Sequence, residues 1–298
     1  GAAGLMCALT AGQRGRSVLL LDHADKAGKK ILISGGGRCN FTNTDTLPDR
    51  YLSNNRHFPK SALSRFTPSD FLEMVNQHGI AWHEKKLGQL FCDGSAKEIL
   101  AMLLDECARG KVEIALDHTV AAVRHSDGSY TVKTNGQSVR APSLVIATGG
   151  PSIPKMGASA FAYEIARQFE LKVIDPRPAL VPFTLSADEQ LFRALSGVST
   201  EVIVRCGKTE FREAALFTHK GLSGPAILQI SSYWKPGQSI SINFLPDLST
   251  GWLIEAKRAR PRSHFKAVLG QHFPDRLTKA LAERTDLSNE LANIPDKR

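Results

Sequence analysis

The sequence predicts an α/β protein whose first domain is Rossmann-like and contains a β-meander, followed by a second domain rich in strands and helices. Gly1 and Gly4 have the spacing of the last two glycines of a G-x-G-x-x-G turn that enters a helix. A short apolar run then ends at Asp22, as a buried parallel strand does. Asp22 follows Gly4 by 18 residues, close to the offset at which an acid accepts hydrogen bonds from a ribose. Together these features predict nucleotide binding.

Size and composition indicate a globular protein. A chain of 298 residues suits one large domain or two closely associated ones. Hydrophobic residues make up 42% and charged residues 22%, which argues against disorder, collagen-like repetition and membrane spanning. No apolar run reaches the length of a transmembrane helix, and the first residues lack the basic region of a signal peptide. We therefore expect no membrane association.

The cysteines and the charge limit the kinds of partner. The five cysteines are scattered without a C-x-x-C pair, which excludes a recognisable zinc or iron–sulfur ligand set. We therefore predict no metal site and a reducing, cytoplasmic location. The net charge of +9 and the pI of about 9.4 predict a surface that attracts polyanions. A moderately basic enzyme, however, needs no nucleic acid.

The stretch from Lys29 to Asn43 is organised around three consecutive glycines, Gly35 to Gly37. Without Cβ atoms, their backbone can approach a flat or anionic ligand and adopt positive φ. Polar side chains and the permanent charge of Arg38 surround the triplet, a mixture suited to a phosphate or a polar ring. Taken alone, the triplet is equally typical of a flexible surface turn.

The middle of the chain predicts further Rossmann-type elements. Helical patterns cover residues 66–79 and 95–109, with a strand pair over 82–91. Strands at 112–116, 119–123 and 130–134 predict the β-meander. The apolar run Ser143–Ala147 predicts a buried strand that ends at Thr148, Gly149 and Gly150. Because ligands bind beyond the carboxyl ends of such strands, the two glycine-rich segments are expected to meet at one ligand.

The proline-rich run 176–182 follows a predicted helix over 160–169 and predicts a domain boundary, with domains at 1–177 and 178–298. The second domain begins with strands over 198–205 and 210–215. A second glycine-rich loop, 216–225, then opens a helix over 226–232, either as a ligand site or as a plain helix entry. The helical tail 251–279 is basic, which is typical of a solvated helix face or of a polyanion-binding surface.

Four motifs resemble one known family. They are Gly-Ala-Ala-Gly from Gly1, Lys-Lys-Ile-Leu-Ile-Ser-Gly-Gly-Gly-Arg-Cys-Asn-Phe-Thr-Asn from Lys29, Ile-Ala-Thr-Gly-Gly-Pro-Ser-Ile-Pro from Ile146, and Leu-Phe-Thr-His-Lys-Gly-Leu-Ser-Gly-Pro from Leu216. The sequence resembles the YhiN/BaiN-like family of NAD(P)/FAD-dependent oxidoreductases over essentially its whole length. The resemblance implies a Rossmann-like FAD-binding domain interrupted by an inserted β-rich and helical domain.

The resemblance also implies which residues hold the cofactor. Gly1, Gly4 and Asp22 would bind the ADP half of FAD, and Val120 would contact the adenine through its backbone. Ser34 to Asn40, with Thr148 to Gly150, would line the pyrophosphate and the flavin. The complete predicted cofactor-binding set is Gly1, Ala3, Gly4, Asp22, Lys30, Ser34, Gly35, Gly36, Gly37, Arg38, Cys39, Asn40, Val120, Thr148, Gly149 and Gly150.

Compared with the family pattern, the sequence departs at both ends. The strand expected before Gly1 is absent, and so is the C-terminal segment that returns to the FAD domain. The sequence therefore resembles a truncated chain, for which we expect weak FAD binding or none.

The family resemblance predicts an enzyme that passes hydride between NAD(P)H, flavin and an unidentified unsaturated substrate. FAD supplies the redox chemistry, while Arg38 stabilises negative charge on it. Cys39 and His219 are the candidate proton donors in the signature loops, although a small buried thiol is an equally good interpretation of Cys39. One alternative is a flavoenzyme that modifies RNA, suggested by the positive charge. A second is a non-catalytic nucleotide-binding or assembly module. The sequence does not predict an oligomeric state.

Overall fold

The computed structural model describes residues 1–185, 194–285 and 290–296. The chain divides into two compact units, Gly1–Ile174 and Asp175–Arg298, named here the N-terminal and C-terminal units. The domain boundary expected between residues 177 and 178 stays a prediction.

The N-terminal unit combines helices with three small sheets. Its helices are α1 (Ala2–Gln13), α2 (Lys29–Ile33), α3 (Lys60–Arg65), α4 (Pro68–Gln77), α5 (Ala96–Arg109) and α6 (Phe161–Gln168). Its strands are β1 (Leu19–Leu21), β2 (Asn40–Asn43), β3 (Trp82–Glu84), β4 (Gln89–Cys92), β5 (Glu113–Ala115), β6 (Val120–Ser126), β7 (Ser129–Thr134) and β8 (Ser138–Ala141).

Local sequence signals place two helices of this unit, α4 and α5, correctly. Thr67 caps α4 and Ser95 caps α5, each in a capping box with the acid at the third helical position. Buried faces of α1 and α5 form the main core, which includes Leu5, Leu9 and Leu103. The predicted helices over 66–79 and 95–109 and the predicted pair β3–β4 are confirmed.

The strand pairing corrects two expectations. β5 does not belong to the meander, because it pairs in parallel with β1, with Leu20 opposite Ile114. The meander is instead β6–β7–β8, and its third strand, Ser138–Ala141, was missed. A short run of residues does not reveal which strand will supply its hydrogen bonds, and β5 and β6 stand only a few residues apart in the chain.

The expected strand over Ser143–Ala147 is also wrong. These residues pair with no strand in the described part of the chain, and Val145 is 63% exposed. An apolar run becomes a strand only where a neighbour completes its backbone hydrogen bonds. The segment still packs on the core, since Leu144 contacts the cluster between the meander and α6.

The C-terminal unit contains one antiparallel sheet with helices. Its strands are β9 (Phe183–Thr184), β10 (Ser199–Cys206), β11 (Thr209–Thr218), β12 (Gly221–Ser223) and β13 (Ser241–Asn243), in the order β13-β10-β11-β12-β9. Its helices are α7 (Pro225–Ser231), α8 (Trp252–Ala259), α9 (Phe265–Leu269) and α10 (Asp275–Thr285).

Its core has two parts. One lies between α7 and the sheet around Val202 and Ile227, and the other joins Phe217 to α9 and α10. The strands expected over 198–205 and 210–215 are confirmed. Through the described residues of both units, every helix is too short or too polar to cross a lipid bilayer.

Candidate functional site

The N-terminus of α1 presents exposed backbone. Gly1 caps this helix without a side-chain hydrogen bond, the first turn contains no acid, and Gly1, Ala2 and Ala3 are exposed. Aligned amides and the helix dipole at such an end favour a phosphate group. A Cβ on Gly4 would lie 3.5 Å from Leu20 Cδ1, so α1 packs closely against β1. Gly1, Ala3 and Gly4 therefore occupy a position that suits a pyrophosphate.

Asp22 lies directly beyond β1, beside the start of α1. The Gly1 nitrogen donates to Asp22 Oδ2 at 3.1 Å, and the Ala24 amide donates to Oδ1 at 3.1 Å. Partial burial by itself raises the pKa of the Asp22 carboxyl, but hydrogen bonding, led by the Ala24 amide, outweighs burial and lowers the pKa. Asp22 is therefore an ionised hydrogen-bond acceptor at neutral pH.

Val120 begins β6 close to Asp22. The His118 amide donates to the Asp22 carbonyl at 3.0 Å, and the Asp117 amide donates to the Ala24 carbonyl at 3.1 Å. These two bonds hold the entry to β6 against the end of β1. The structure thus brings Gly1, Asp22 and the backbone leading into Val120 to one edge of the N-terminal unit.

The glycine triplet forms a tight turn after α2, with φ of 58°, 68° and 86° at Gly35, Gly36 and Gly37. A Cβ on Gly35 would lie 2.7 Å from Asn40 N and 2.7 Å from Phe91 Cε1, so this side of the turn is filled by protein. A Cβ on Gly36 would meet no atom within 4 Å. The turn therefore has one packed side and one open side. Both Gly36 and the side chain of Arg38 are exposed.

Two contacts link the glycine-rich segment Thr148 to Gly150 to the helices α1 and α2. Lys30 Nζ, on α2, donates to Ser152 Oγ at 2.8 Å. A Cβ on Gly4 would lie 3.8 Å from the Cβ of Ala147, next to Thr148. Gly149 has φ of 74°, and its missing Cβ faces open space. Thr148 to Gly150 therefore lie near both α1 and α2.

Cys39 has a buried side chain. Only 6% of the residue is exposed, and it belongs to the main core cluster. Burial raises the pKa of its thiol, and the opposing Ser34 hydrogen bond is weaker. The neighbouring Cys92 is buried as well, and desolvation together with the nearby Cys39 raises its pKa to about 11. Cys39 is thus a protonated thiol at neutral pH, while its proposed role in proton transfer stays a prediction.

His219 lies in the C-terminal unit, exposed on the turn between β11 and β12. Thr218 Oγ1 organises this turn by accepting from the Lys220 and Gly221 amides at 3.3 and 3.1 Å. A Cβ on Gly221 would collide with the Phe183 carbonyl, and one on Gly224 would lie 2.7 Å from the Ala214 carbonyl. The glycines of this second loop are therefore explained by strand packing.

Sequence reasoning missed some contributors to the region. Ser152 holds Lys30, and His23 packs against Gly157, a close approach that leaves no room for a Cβ. Ser152 lies inside the motif that begins at Ile146 but has no predicted role, and His23 directly follows Asp22. Their role depends on which loops meet in three dimensions, a property that short motifs do not encode.

The N-terminal unit thus combines an open helix N-terminus, an ionised carboxylate beyond a parallel strand and two glycine turns with open sides. Each of these features suits one part of a dinucleotide that carries a flat ring: the pyrophosphate, the ribose and the ring itself. The residues present therefore fit FAD.

Comparisons with known proteins agree with this geometry. The family described as HI0933-like protein Rossmann domain matches residues 1–223, and HI0933-like protein barrel and H2TH domain matches residues 177–298. A ribosomal RNA dihydrouridine synthase of Escherichia coli K12 is 52% identical over 99% of this chain and 73% of its own length. A protein of the same name from Haemophilus influenzae is 43% identical over all of this chain and 76% of its own length.

A more distant relative is the 3-dehydro-bile acid delta(4,6)-reductase of Clostridium scindens, 26% identical over 99% of this chain and 75% of its own length. The family resemblance and the Rossmann-type fold predicted from the motifs are both confirmed. The chain belongs to the HI0933-like family of flavin-dependent oxidoreductases.

Proposed function

We propose that this protein reduces a uridine of ribosomal RNA to dihydrouridine, using FAD and NAD(P)H. The observation that carries the proposal is the 52% identity to a ribosomal RNA dihydrouridine synthase over 99% of the chain. The net charge of +9 suits a polyanionic substrate. Because the chain belongs to an oxidoreductase family, an enzyme is favoured over a non-catalytic nucleotide-binding or assembly module.

The names of the relatives point to one type of bond. Uracil has a carbon–carbon double bond conjugated to a carbonyl, and a bile acid with a 3-oxo group and ring double bonds offers the same arrangement. Saturating such a bond adds a hydride to the carbon remote from the carbonyl and a proton to the carbon beside it. One NAD(P)H and one proton are consumed for each dihydrouridine formed. This chemistry agrees with the unsaturated substrate expected from the sequence.

The proposed roles of the residues follow from their positions. Asp22 accepts hydrogen bonds from the ribose, and the amides at the start of α1 bind the pyrophosphate. The open sides of Gly36 and Gly149 allow the flat ring to approach the backbone. Arg38, exposed beside the turn, provides positive charge for the cofactor. FAD, when bound, supplies the hydride.

The proton is proposed to come from Cys39 or His219. Burial keeps the Cys39 thiol protonated, and His219 is exposed on its turn. Cys39→Ala and His219→Asn separate the two assignments, because loss of the donor slows the reoxidation of an already reduced flavin by RNA. If both variants reduce RNA at the wild-type rate, neither residue is the donor.

A second candidate is reduction of a small-molecule enone, supported by the 26% identity to the bile acid reductase. The two candidates are separated by disrupting the gene in its host and mapping ribosomal RNA by mass spectrometry. The RNA proposal predicts that one dihydrouridine of the undisrupted host is found as uridine, lighter by two hydrogens, after disruption. The wild-type gene should restore the original mass. An unchanged dihydrouridine content would contradict the proposal and favour the small-molecule candidate.

A further inference from the structure

An exposed segment of the N-terminal unit, residues 51–66, presents large apolar side chains to solvent. We call it the 51–66 arm. Every residue from Tyr51 to Phe58 is exposed, with Phe58 at 78%, Leu52 at 52% and Tyr51 at 47%. Phe66, at the other end, is 44% exposed. Clustered exposed apolar side chains of this size are typical of a binding surface.

The arm is also positively charged without compensation. It contains Arg56, Lys60 and Arg65, and no acid occurs between Tyr51 and Ser69. In the described part of the chain, none of these three cations forms an ion pair with a carboxylate. Exposed arginines elsewhere do so; Arg205, for example, pairs with Glu210 at 2.5 Å. Exposed rings and unpaired cations therefore alternate along one short segment of the chain.

The residues that lead into the arm are held to the strand that leaves the glycine turn. The Asp45 amide donates to Asn43 Oδ1 at 2.7 Å, and Arg50 pairs with Asp45 at 2.7 Å. β2 runs from Asn40, directly after Cys39, to Asn43. Three residue steps along a strand span about 10 Å. Strand β2 therefore ends about 10 Å from the proposed cofactor turn, and residues 44–50 connect it to the arm.

We infer that the 51–66 arm binds the single-stranded RNA that flanks the target uridine. Tyr51 and Phe58 stack on bases, while Arg56, Lys60 and Arg65 contact phosphates. The inference rests on the proposed function. Reduction of a ring inside a duplex would require the base to leave the stack, so an unpaired RNA segment is the natural substrate.

RNA fits this surface better than other occupants. An apolar segment of protein would cover the rings but would leave the three cations unneutralised. Duplex RNA would neutralise the cations but buries the base faces that the rings need. The basic stretch Lys257–Lys266 is a weaker candidate, because its phenyl ring, Phe265, is buried. Of these two surfaces, the 51–66 arm alone combines exposed rings with unpaired cations.

The test uses the full-length holoprotein and a fluorescently labelled single-stranded fragment of ribosomal RNA, with anisotropy measured over a range of salt concentrations. Phe58→Ala and Tyr51→Ala should each weaken binding about tenfold, and Phe58→Trp should retain wild-type affinity. Arg56→Gln and Lys60→Gln should each reduce the slope of log affinity against log salt by about 0.7. Leu171→Ala is the control, since Leu171 is 63% exposed in the same unit but lies outside the arm.

Activity measurements on the same variants separate this inference from the proposed function. The arm variants should raise the KM for RNA, leave kcat at saturating RNA unchanged, and leave flavin reduction by NAD(P)H unchanged. If the wild type forms dihydrouridine and the arm variants keep its affinity and KM, the arm inference is wrong and the proposed function stands. If the wild type binds RNA through the arm but forms no dihydrouridine, the proposed function is wrong. Loss of dimerisation or of vesicle binding in place of RNA binding would also overturn the inference.

Discussion

Neighbouring glycines in one turn answer to different physical constraints. Gly35 and Gly36 both have left-handed φ, 58° and 68°. Gly35 also lies against Phe91 and the Asn40 amide, whereas Gly36 faces open space. The sequence predicted a special turn at this triplet. It did not predict the difference between the two positions, because Phe91 reaches the turn from a strand about fifty residues further along the chain.

This difference predicts different consequences for two alanine substitutions. Gly35→Ala should lower the free energy of unfolding by more than the roughly 1–2 kcal/mol expected from left-handed strain alone, because its Cβ also collides with protein. Gly36→Ala should cost only that strain and should weaken FAD binding. Chemical denaturation of the apoprotein and flavin titration measure the two effects. Equal stability losses in both variants would contradict the assignment of a packed and an open side.

Asp22 offers a second test at the residue scale. Asp22→Asn should weaken FAD binding roughly tenfold or more, since a hydrogen bond to a charged acceptor contributes about 1.5–3 kcal/mol. Because its pKa is lowered from an already acidic value, Asp22 stays ionised near neutral pH and should add no pH dependence to FAD affinity between about pH 5 and 8. Asp25→Asn is the matched control, because the neighbouring Asp25 is exposed and pairs with Lys29. Equal FAD affinity in both variants would remove Asp22 from the site.

At the scale of elements, the correct predictions rest on signals that are local in the sequence. The caps at Thr67 and Ser95 are contained within four residues, and both helices begin where these signals predict. The failed expectations involve pairing over long distances: β5 joins β1, and Ser143–Ala147 remains unpaired in the described residues. Likewise, the motifs identified both glycine-rich segments but not the Lys30–Ser152 contact between them.

A polar cluster that joins three helices gives a prediction about pH. Glu106 on α5 accepts from Gln13 on α1 at 2.6 Å and from Arg109 at 2.8 Å, and contacts His78 at the end of α4 at 2.8 Å. The His78 hydrogen bond, followed by Gln13 and Arg109, lowers the pKa of Glu106 against the opposing effect of burial. Folding therefore favours the ionised carboxylate.

A lowered folded-state pKa contributes stability above the unfolded-state pKa, and that stability is lost as the pH falls through the folded value. Glu106→Gln should therefore be less stable than wild type at pH 7, and the difference should shrink below about pH 4. Urea denaturation at both pH values measures it. Asp105→Asn, at a half-exposed neighbour that also contacts Arg109, should have a smaller effect. A difference between Glu106→Gln and wild type that grows in acid would contradict the account.

At the scale of the whole molecule, the positive charge is neutralised by acids in some places and left without partners in the 51–66 arm. The net charge of +9 includes many cations that are neutralised by nearby acids, such as Arg212 between Glu201 and Asp247. The cations of the 51–66 arm have no such partners among the described residues and share that segment with exposed rings. The family, confirmed by comparison, supplies the flavin chemistry. The proposed RNA substrate would neutralise the unpaired cations of the 51–66 arm.

The most direct test of the central claim is an anaerobic single turnover. Full-length holoprotein is reduced with one equivalent of NAD(P)H and mixed with unmodified ribosomal RNA, while flavin absorbance is followed and the RNA is analysed by mass spectrometry. The proposed function predicts that the flavin is reoxidised and that one dihydrouridine appears for each flavin. A flavin that stays reduced in the presence of RNA, with every uridine unchanged, would contradict it.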